Sequence, residues 1–444
     1  MKKIVIIGGG AGGLQLATSL GRHFSFARFG RRNKSPAAQI TLVDKNRTHI
    51  WKPLLHQVAT GALDSSLDAL NYQVHGRAHG YQFELGSLKS LDRENKTVEL
   101  AEVHNADGAP LVPARKLDYD YLVIALGSQS NDFHTPGVRK HCQFLDSAEQ
   151  AQKFHSRLLD QFLLLDSQVV KSVHIAIVGG GATGVELAAE LVDSVQEMGH
   201  YSRIKNGDLK VTLIEAGPHL LPALPPRLGN SSEKELTKIG VRVLTNTQVA
   251  EATSSGFITK DGDEIPAAMR VWAAGVKAPD FLQQLDDLKL NRQNQIEVEA
   301  TLRSMSDPAI FALGDCAGCI DGHGVKVPPR AQSAQQMSKT LSENLIRLVE
   351  ADTSSDTGSE QATLQPFVYK DRGSLVSLSK FDAVGNLMGG LVKGSLTIEG
   401  RLAGVAYRSL YRMHLAAIHG WPKAMLLYII GQANRFVSPR LKMH

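Results

Sequence analysis

The chain has 444 residues, 43% hydrophobic and 21% charged, a composition of folded globular proteins that excludes a disordered chain. Its length predicts two or three domains. The net charge is +5, and residues 401–444 contribute +7 from seven Lys or Arg with no Asp or Glu, so the first 400 residues carry −2. A uniformly basic nucleic-acid-binding protein is therefore not expected.

The N-terminal apolar run is short. Ile4 to Ile7 stops at Gly8, which predicts a buried strand rather than a signal peptide. No segment reaches the roughly 18 apolar residues that a membrane-spanning helix needs. We therefore expect a protein that is neither exported nor inserted across a membrane.

A strand–turn–helix pattern occurs twice, 171 residues apart (Gly8 to Gly179). The two Gly-x-Gly-x-x-Gly turns comprise Gly8, Gly10 and Gly13, then Gly179, Gly181 and Gly184. Each turn follows an apolar strand, opens a helix, and precedes a second strand that closes on Asp44 or Glu215. This pattern is typical of a βαβ dinucleotide-binding unit.

Each position in such a unit has a physical role. The first glycine permits the tight turn, the second lets a pyrophosphate approach the backbone, and the third lets the helix lie close on its strand. The acid accepts hydrogen bonds from a ribose hydroxyl. Here it follows the first glycine by 36 residues, which predicts an inserted loop in both copies, with Arg22 to Lys34 forming the first. The five Lys or Arg of that loop favour a solvated face over a membrane contact.

The remaining elements are predicted from hydrophobic patterns and turn residues. They are a hairpin between Tyr81 and Leu100, strands at Tyr121 to Gly127, Val271 to Gly275 and within Thr301 to Asp315, helices at Asp146 to Asp166 and from Pro328 to about Val349, and a loop at Ala351 to Thr363.

The C-terminal tail predicts two amphipathic helices separated at Trp421-Pro422, the second at Lys423 to Val437. Its first helix has a basic face and an opposite apolar face, formed by Arg401, Arg408, Arg412 and His419 and by Ala403, Ala406, Leu410, Met413 and Ala417. A cationic face beside interfacial aromatic residues is typical of a helix lying on an anionic bilayer. A dimer interface or a core helix is the alternative.

Six segments together resemble bacterial type II NADH dehydrogenases, the single-subunit, non-pumping NADH:quinone oxidoreductases of the two-dinucleotide flavoprotein family. They are WKPLLHQVATGALD (Trp51 to Asp64), GGGATGVELAAEL (Gly179 to Leu191), LPALPPRL (Leu221 to Leu228), VWAAGVKAPDFL (Val271 to Leu282), GDCAGC (Gly314 to Cys319) and PPRAQSAQQM (Pro328 to Met337). The resemblance covers essentially the whole chain.

The resemblance implies an α/β fold with two Rossmann-like dinucleotide-binding domains, the second inserted in the first. A C-terminal α/β region would end in amphipathic membrane-associating helices. We expect an FAD-binding domain at 1–165 and 301–350, an NADH-binding domain at 166–300, a linker and β-rich segment at 351–400, and anchoring helices at 401–444.

By the same resemblance, non-covalent FAD binds the first copy and NADH the second. The predicted cofactor-binding residues are Gly8, Gly10, Ala11, Gly12, Gly13, Asp44, Lys45, Lys52, Leu88, Gly127, Gly314, Asp315, Ala331, Gly179, Gly181, Gly184, Glu215 and Gly275. Leu88 lies where the family contacts adenine, and Asp315 is placed for the ribityl or pyrophosphate region of FAD, unless it caps a helix. Glu215 would repel a 2′-phosphate, which favours NADH over NADPH.

Three residues are predicted to be catalytic: Glu186, Gln332 and Gln336. The resemblance puts Glu186 beside the nicotinamide and the flavin; the alternative is a carboxylate in the first turn of its helix that favours the helix dipole. Gln332 and Gln336 lie one turn apart and could donate to a quinone carbonyl. Exposed glutamines are the alternative.

The cysteines are expected to be buried thiols without a redox or metal role. Cys316-x-x-Cys319 has no fourth ligand at recognisable zinc spacing, and Trp51 to Asp64 lacks the cysteines of disulfide reductases. His49 and His56 could border the flavin. A sulfide:quinone oxidoreductase, which needs redox cysteines, and a non-catalytic flavin-bearing NADH sensor are the competing functions.

The expected partners are NADH, a membrane quinone and the anionic lipid surface, with a homodimer left open. Neither a metal nor a nucleic acid is expected. The expected location is the cytoplasmic face of the bacterial inner membrane, with peripheral attachment.

Overall fold

A computed structural model describes most of the chain. The described residues are 1–30, 37–63, 69–105, 107–199, 202–205, 207–353, 362–378, 382–389, 392–399, 412–413, 415–422, 424–426 and 429. They form two compact units. The first comprises Met1–Trp51, Ala69–Gln129 and Lys277–Tyr369, and the second Lys52–Asp68, Ser130–Val276 and Lys370–His444. The domain boundaries expected above stay a prediction.

The strands, in chain order, are β1 (Lys2–Ile7), β2 (Ala38–Asp44), β3 (Thr48–His49), β4 (Leu70–Asn71), β5 (Gln82–Leu85), β6 (Leu88–Asp92), β7 (Thr97–Leu100), β8 (Val103–His104), β9 (Pro110–Val112), β10 (Arg115–Asp118), β11 (Tyr121–Ile124), β12 (Gln129–Ser130), β13 (Val173–Val178), β14 (Leu209–Ile214), β15 (Arg242–Leu244), β16 (Val249–Ala252), β17 (Gly256–Thr259), β18 (Glu264–Pro266), β19 (Met269–Trp272), β20 (Val276–Lys277), β21 (Ile296–Val298), β22 (Ile310–Ala312), β23 (Ala317–Cys319), β24 (Gly373–Leu378), β25 (Asp382–Gly389) and β26 (Val392–Glu399).

The helices are α1 (Ala11–Gly30), α2 (Leu55–Thr60), α3 (Tyr72–His79), α4 (Val138–His141), α5 (Ala148–Asp166), α6 (Ala182–Met198), α7 (Pro226–Lys238) and α8 (Ala331–Thr353), with short 3-10 turns at Lys52–Leu54, Asp280–Gln284 and Gly314–Cys316. Within the described residues, no helix is both long and apolar enough to cross a membrane.

The first unit is built on a parallel sheet in the order β22-β11-β1-β2-β5. Strands β1, β11 and β22, in the interior or at the covered side of this sheet, are largely apolar, and Ile4, Ile6 and Leu122 are fully buried. Helices α1 and α8 pack against each other. The predicted hairpin is formed by β6 and β7.

The second unit repeats this plan with a parallel sheet in the order β15-β14-β13-β19. Phe257 and Trp272 belong to a buried cluster that joins this sheet to the antiparallel strands β16, β17 and β18. Helix α2 packs on α5 and α6. In each unit, the carboxyl ends of the parallel strands lie at one edge of that unit's sheet, which is where the sequence predicts that a dinucleotide binds.

The loop predicted at Arg22 to Lys34 is wrong over its first part, because α1 continues to Gly30. Leu20 and Phe24 are buried and extend the inward face of the helix by another turn, which outweighs the polar residues between them. Residues 31–34 of that loop lie outside the described residues.

The predicted helix break at Trp421-Pro422 is also displaced. Gly420 interrupts the helix with a left-handed φ of 83°, and Trp421 and Pro422 begin the next helical turn, where proline is tolerated. Most of the other predicted tail positions, residues 401–411 and most of 423–437, lie outside the described residues. The predicted loop at Ala351 to Thr363 begins inside α8, and residues 354–361 are likewise not described.

Candidate functional site

The first glycine turn joins β1 to α1 with contacts that only glycine permits. A Cβ on Gly8 would lie 2.4 Å from the Ala125 carbonyl oxygen, and Gly8 has a φ of 107°. A Cβ on Gly13 would lie 1.9 Å from the Gly8 carbonyl oxygen, so α1 crosses directly over the end of β1. Gly179 and Gly184 repeat this geometry, since a Cβ on Gly184 would lie 2.0 Å from the Gly179 oxygen.

The middle glycine of each turn faces open space. Among the described residues, nothing lies within 4 Å of a Cβ placed on Gly10 or on Gly181. The amides of Gly10, Ala11 and Gly12 donate no hydrogen bond to any described residue, and they point out of the N-terminus of α1. Unpaired amides beside an open surface fit the pyrophosphate of a dinucleotide.

The acid of each unit is bonded to its own turn. Asp44 accepts the Gly9 amide at 2.7 Å and the Asn46 amide at 2.8 Å. Glu215 accepts the Gly180 and Gly217 amides, both at 2.7 Å. Burial raises the pKa of Asp44, and these amide hydrogen bonds oppose that shift. Each acid therefore fixes the turn from the side on which the ribose is predicted to bind.

Tyr72 is a site residue that the sequence motifs did not reveal. It lies in α3, is 2% exposed, and donates its hydroxyl hydrogen bond to the Gly9 carbonyl at 2.7 Å. Its ring fills the space beside Gly9, where an added Cβ would come within 2.5 Å of it. His49 lies beside this ring, and burial lowers the pKa of His49 to about 4. No short motif contains Tyr72, so only the tertiary structure reveals it.

Asp315 lies in the first unit, in the 3-10 turn that follows β22. Its carboxylate accepts a hydrogen bond at 2.7 Å from Ser128, which follows β11, rather than capping a helix. Gly127 and Gly314 have left-handed φ angles of 69° and 74°, which let both strands turn at this edge of the sheet. The same edge carries the first glycine turn, because β11 lies between β1 and β22.

Helix α8 begins at Ala331 with two of the predicted catalytic residues. Gln332 and Gln336 are both partly buried, and they lie on the face opposite the buried Ala334 and Met337. Their half-buried position differs from that of solvated surface glutamines.

Three other predicted ligands lie in different segments of the two units. Leu88 is buried at the start of β6, and Lys45 is exposed after β2. Lys52, in the second unit, lies 3.6 Å from the carboxylate of Asp146.

Glu186 is buried within the second unit. It lies in the second turn of α6, so its expected place in the first turn is wrong. The side chain is 5% exposed, with one oxygen 3.4 Å from His56 Nδ1 and the other accepting the Ser377 amide at 3.1 Å. Burial lowers the pKa of His56 to about 4, so this imidazole is neutral at pH 7. A fixed, buried carboxylate in contact with a neutral imidazole is unlike a residue that merely complements a helix dipole.

All three cysteines are free. Cys316 and Cys319 are 0% and 2% exposed, and burial raises their pKa values to about 11 and about 12. Since the thiolate is the reactive form, these groups are inert at neutral pH. Their environment is that of the buried thiols expected from the sequence.

Comparison with known proteins agrees with this geometry. Residues 2–338 match the family described as pyridine nucleotide-disulphide oxidoreductase. A type II NADH:quinone oxidoreductase of Haemophilus influenzae is 46% identical, with all of both chains covered. The type II NADH:quinone oxidoreductase NdhA of Mycobacterium tuberculosis is 27% identical over 99% of this chain and 91% of its own.

Solved structures show the same fold. The structure of NDH2 from Plasmodium falciparum in complex with NADH has a TM-score of 0.78 and 20% identity, and the match covers 99% of this chain and 100% of that one. The sulfide:quinone oxidoreductase of Aquifex aeolicus gives a TM-score of 0.67 at 18% identity, over 95% of this chain and 92% of that one. This likeness establishes the two-dinucleotide-binding flavoprotein fold.

The fold alone does not separate these activities, whereas the full-length identity of 46% does. The chain therefore belongs to the type II NADH:quinone oxidoreductases, within the pyridine nucleotide-disulphide oxidoreductase family.

Proposed function

We propose that this protein oxidises NADH and reduces a membrane quinone without pumping protons. The observation that carries the proposal is the pair of glycine turns, each with a middle glycine that faces open space and an acid bonded to the turn. FAD, when bound at the first turn, supplies the redox chemistry by accepting a hydride and passing on two electrons. The chain's own residues bind and orient the reactants.

The second turn would hold the NADH pyrophosphate at Gly181, and Glu215 would accept a hydrogen bond from the adenosine ribose. Both oxygens of Glu215 accept backbone amides, one from Gly180 in the turn and one from Gly217, so its charge stays at this position. A 2′-phosphate would meet that charge, and Ala216-Gly217-Pro218 offers no arginine to bind it. We therefore propose NADH, not NADPH, as the reductant.

Glu186 would orient the nicotinamide. Hydride transfer needs no acid or base, but it requires the donor and acceptor atoms to be held about 3–3.5 Å apart. The two contacts of Glu186, with His56 and with the Ser377 amide, restrict its carboxylate to one orientation. A restricted carboxylate supports a positioning role.

The amides of Gln332 and Gln336 would bind the quinone. They lie one turn apart near the N-terminus of α8, whose helix dipole also favours negative charge nearby. An amide can donate to a quinone carbonyl, and partial burial would strengthen that hydrogen bond.

The tail would attach the protein to the cytoplasmic face of the bacterial inner membrane. Trp421, Met425, Leu426 and Ile429 are between 56% and 72% exposed, although all four are large and apolar. The segment also holds the seven basic residues of 401–444, each worth about 1 kcal/mol near an anionic surface. The exposed apolar residues together with the basic charge support peripheral binding to anionic lipid.

The reaction is tested by mixing the FAD-loaded protein with NADH under anaerobic conditions and then adding a quinone analogue. We expect NADH to bleach the flavin absorbance, the quinone to restore it, and NADPH to act far more slowly. A flavin that NADH does not reduce would contradict the proposal. Serine replacement of all three cysteines should leave turnover intact, whereas a sulfide:quinone oxidoreductase would lose it.

Attachment is tested by co-sedimentation with anionic vesicles. Replacing Trp421 and Met425 by serine should release the protein, since burial of each side chain contributes about 2 kcal/mol. Val169→Ser is the matched control, because Val169 is 68% exposed in another part of the second unit. If the double variant stayed on vesicles but changed from dimer to monomer, this surface would be a homodimer interface instead.

A further inference from the structure

An exposed aromatic residue is held in a strained backbone conformation in the second unit. Phe133 has a φ of 49°, the next residue, His134, has a φ of 55°, and the Phe133 side chain is 58% exposed. Left-handed backbone is unfavourable for side chains with a Cβ, and two such residues in succession are rarer still. A phenyl ring that remains mostly exposed gains little from burial to offset this cost.

Several contacts impose the conformation. The Asn131 side chain accepts the Phe133 amide at 3.0 Å, while the Asn131 carbonyl accepts the Trp272 indole N–H at 2.8 Å. The Asp132 carboxylate accepts the His134 amide at 3.4 Å and pairs with Arg139. Strain that the surroundings over-determine in this way is characteristic of functional positions.

The Phe133 ring lies directly on Gly275. A Cβ added to Gly275 would come within 2.7 Å of Phe133 Cζ and 3.1 Å of Cε2. The Asn131 amide also donates to the Gly275 carbonyl at 3.2 Å, so the two segments are bonded beside the ring. Gly275 follows the carboxyl end of β19 and is one of the predicted cofactor-binding residues.

The order of the strands in the sheet indicates which half of NADH binds beside Gly275 and Phe133. Glu215 follows β14, on one side of β13, and β19 lies on the other side. The pyrophosphate is predicted to bind between them, at the turn from β13 to α6. With the adenosine ribose on the β14 side, the nicotinamide half must run over the end of β19, towards Gly275 and Phe133.

We propose that Phe133 is an NADH-binding residue that forms the wall of the nicotinamide pocket, with Gly275 as its floor. Bound nicotinamide riboside covers the exposed ring and gains apolar contact from it. The strained loop presents the ring in this position before the ligand arrives. This inference rests on the proposed oxidation of NADH at the same site.

The test is the affinity for NADH, measured from the rate of anaerobic flavin reduction against NADH concentration. Phe133→Ala should weaken NADH binding about tenfold, because most of the ring contact is lost, and should leave the limiting reduction rate within about twofold. Phe133→Leu, which keeps apolar bulk, should lie between Phe133→Ala and the wild type. Leu163→Ala, at a similarly exposed position on α5, is the matched control.

A double-mutant cycle distinguishes direct contact between Phe133 and NADH from an indirect effect of the substitution on NADH binding. Gly275→Ala should weaken NADH binding, because its methyl group would collide with the Phe133 ring, and adding Phe133→Ala should restore part of the loss. Unchanged NADH affinity in Phe133→Ala, with normal flavin content and thermal stability, would overturn the inference. Failure of the wild type to be reduced would instead reject the proposed function.

Discussion

The two glycine turns of this protein have the same backbone chemistry but different supports. In both, an acid accepts a hydrogen bond from the backbone N–H of the second glycine in the sequence: Asp44 from Gly9 and Glu215 from Gly180, each at 2.7 Å. The carbonyl of that glycine is bonded differently: at Gly9 it accepts the Tyr72 hydroxyl, and at Gly180 it accepts the Leu221 amide, at 2.7 and 2.8 Å. The glycine turn and its acid, which are the same in both units, would bind the pyrophosphate, whereas the hydrogen-bond donor to the glycine carbonyl differs between the units.

This difference means that the support of the glycine carbonyl can be removed by a side-chain substitution in the first turn but not in the second. Every substitution of Leu221 except proline keeps the backbone N–H that donates to Gly180, and proline cannot adopt the φ of 53° found at Leu221. Variants of each turn should therefore affect one dinucleotide at a time. The predictions below use that separation, beginning with the largest effect.

Alanine at the third glycine should abolish binding at the altered turn. In Gly13→Ala and Gly184→Ala, the methyl group would lie about 2 Å from a carbonyl oxygen, which forces the helix away from its strand at a cost of about 1–3 kcal/mol or more. We expect Gly13→Ala to purify without flavin, and Gly184→Ala to keep its flavin but not to be reduced by NADH.

The matched control is Gly199→Ala. Gly199 has a helical φ of −58°, and its nearest neighbour would be 3.2 Å from the new methyl group. This variant should retain both the flavin and its reduction by NADH. Loss of flavin from Gly184→Ala would show that the two turns do not act separately.

Acid should weaken the support of the first turn through His49. Burial lowers its folded-state pKa from 6.5 to about 4, so the unfolded chain binds the proton more readily. Stability from this group is complete above pH 6.5 and is lost as the pH falls towards 4, by about 3 kcal/mol. Thermal unfolding followed by flavin release should show this loss, and His49→Asn should flatten it.

His56 in the second unit has the same depressed pKa and serves as the comparison. Its replacement by asparagine should also flatten the loss of stability, but it should alter NADH oxidation through Glu186 rather than flavin retention. If His49→Asn left the pH dependence of flavin release unchanged, the first turn would not depend on a neutral imidazole.

Removal of the tyrosine hydroxyl should weaken only the first turn. Tyr72→Phe leaves the buried Gly9 carbonyl without its donor, which costs about 1–3 kcal/mol. We expect weaker FAD binding, measured by fluorescence titration of the apoprotein, and unchanged NADH affinity in the flavin-loaded enzyme. Tyr119→Phe is the control, because the buried Tyr119 hydroxyl makes no hydrogen bond among the described residues. Equal losses of FAD affinity in the two variants would mean that the hydrogen bond from Tyr72 to Gly9 does not support FAD binding specifically.

The sequence predicts the repeated part of the site and not its supports. Gly8, Gly13 and the closing acids can be predicted because their roles are local and have fixed spacing. Tyr72 contacts the first turn, and Ser377 contacts Glu186 in the second unit; both come from distant parts of the chain, and nothing in their own segments predicts these contacts.

The errors in local structure have a similar origin. The predicted loop after Arg22 gave way to helix because the buried side chain of Phe24 decides the conformation there. Buried contacts of this kind are properties of the folded chain and cannot be read from spacing.

The smallest effect is expected from the acid of the second turn. Glu215→Gln keeps an oxygen that can accept one turn amide but removes the negative charge, so NADH binding should weaken about tenfold. The same change removes the repulsion of a 2′-phosphate, so the preference for NADH over NADPH should narrow. Flavin content should not change, because Asp44 holds the first turn independently. Reduction rates with both nucleotides measure this, and an undiminished preference for NADH would mean that another residue excludes the 2′-phosphate.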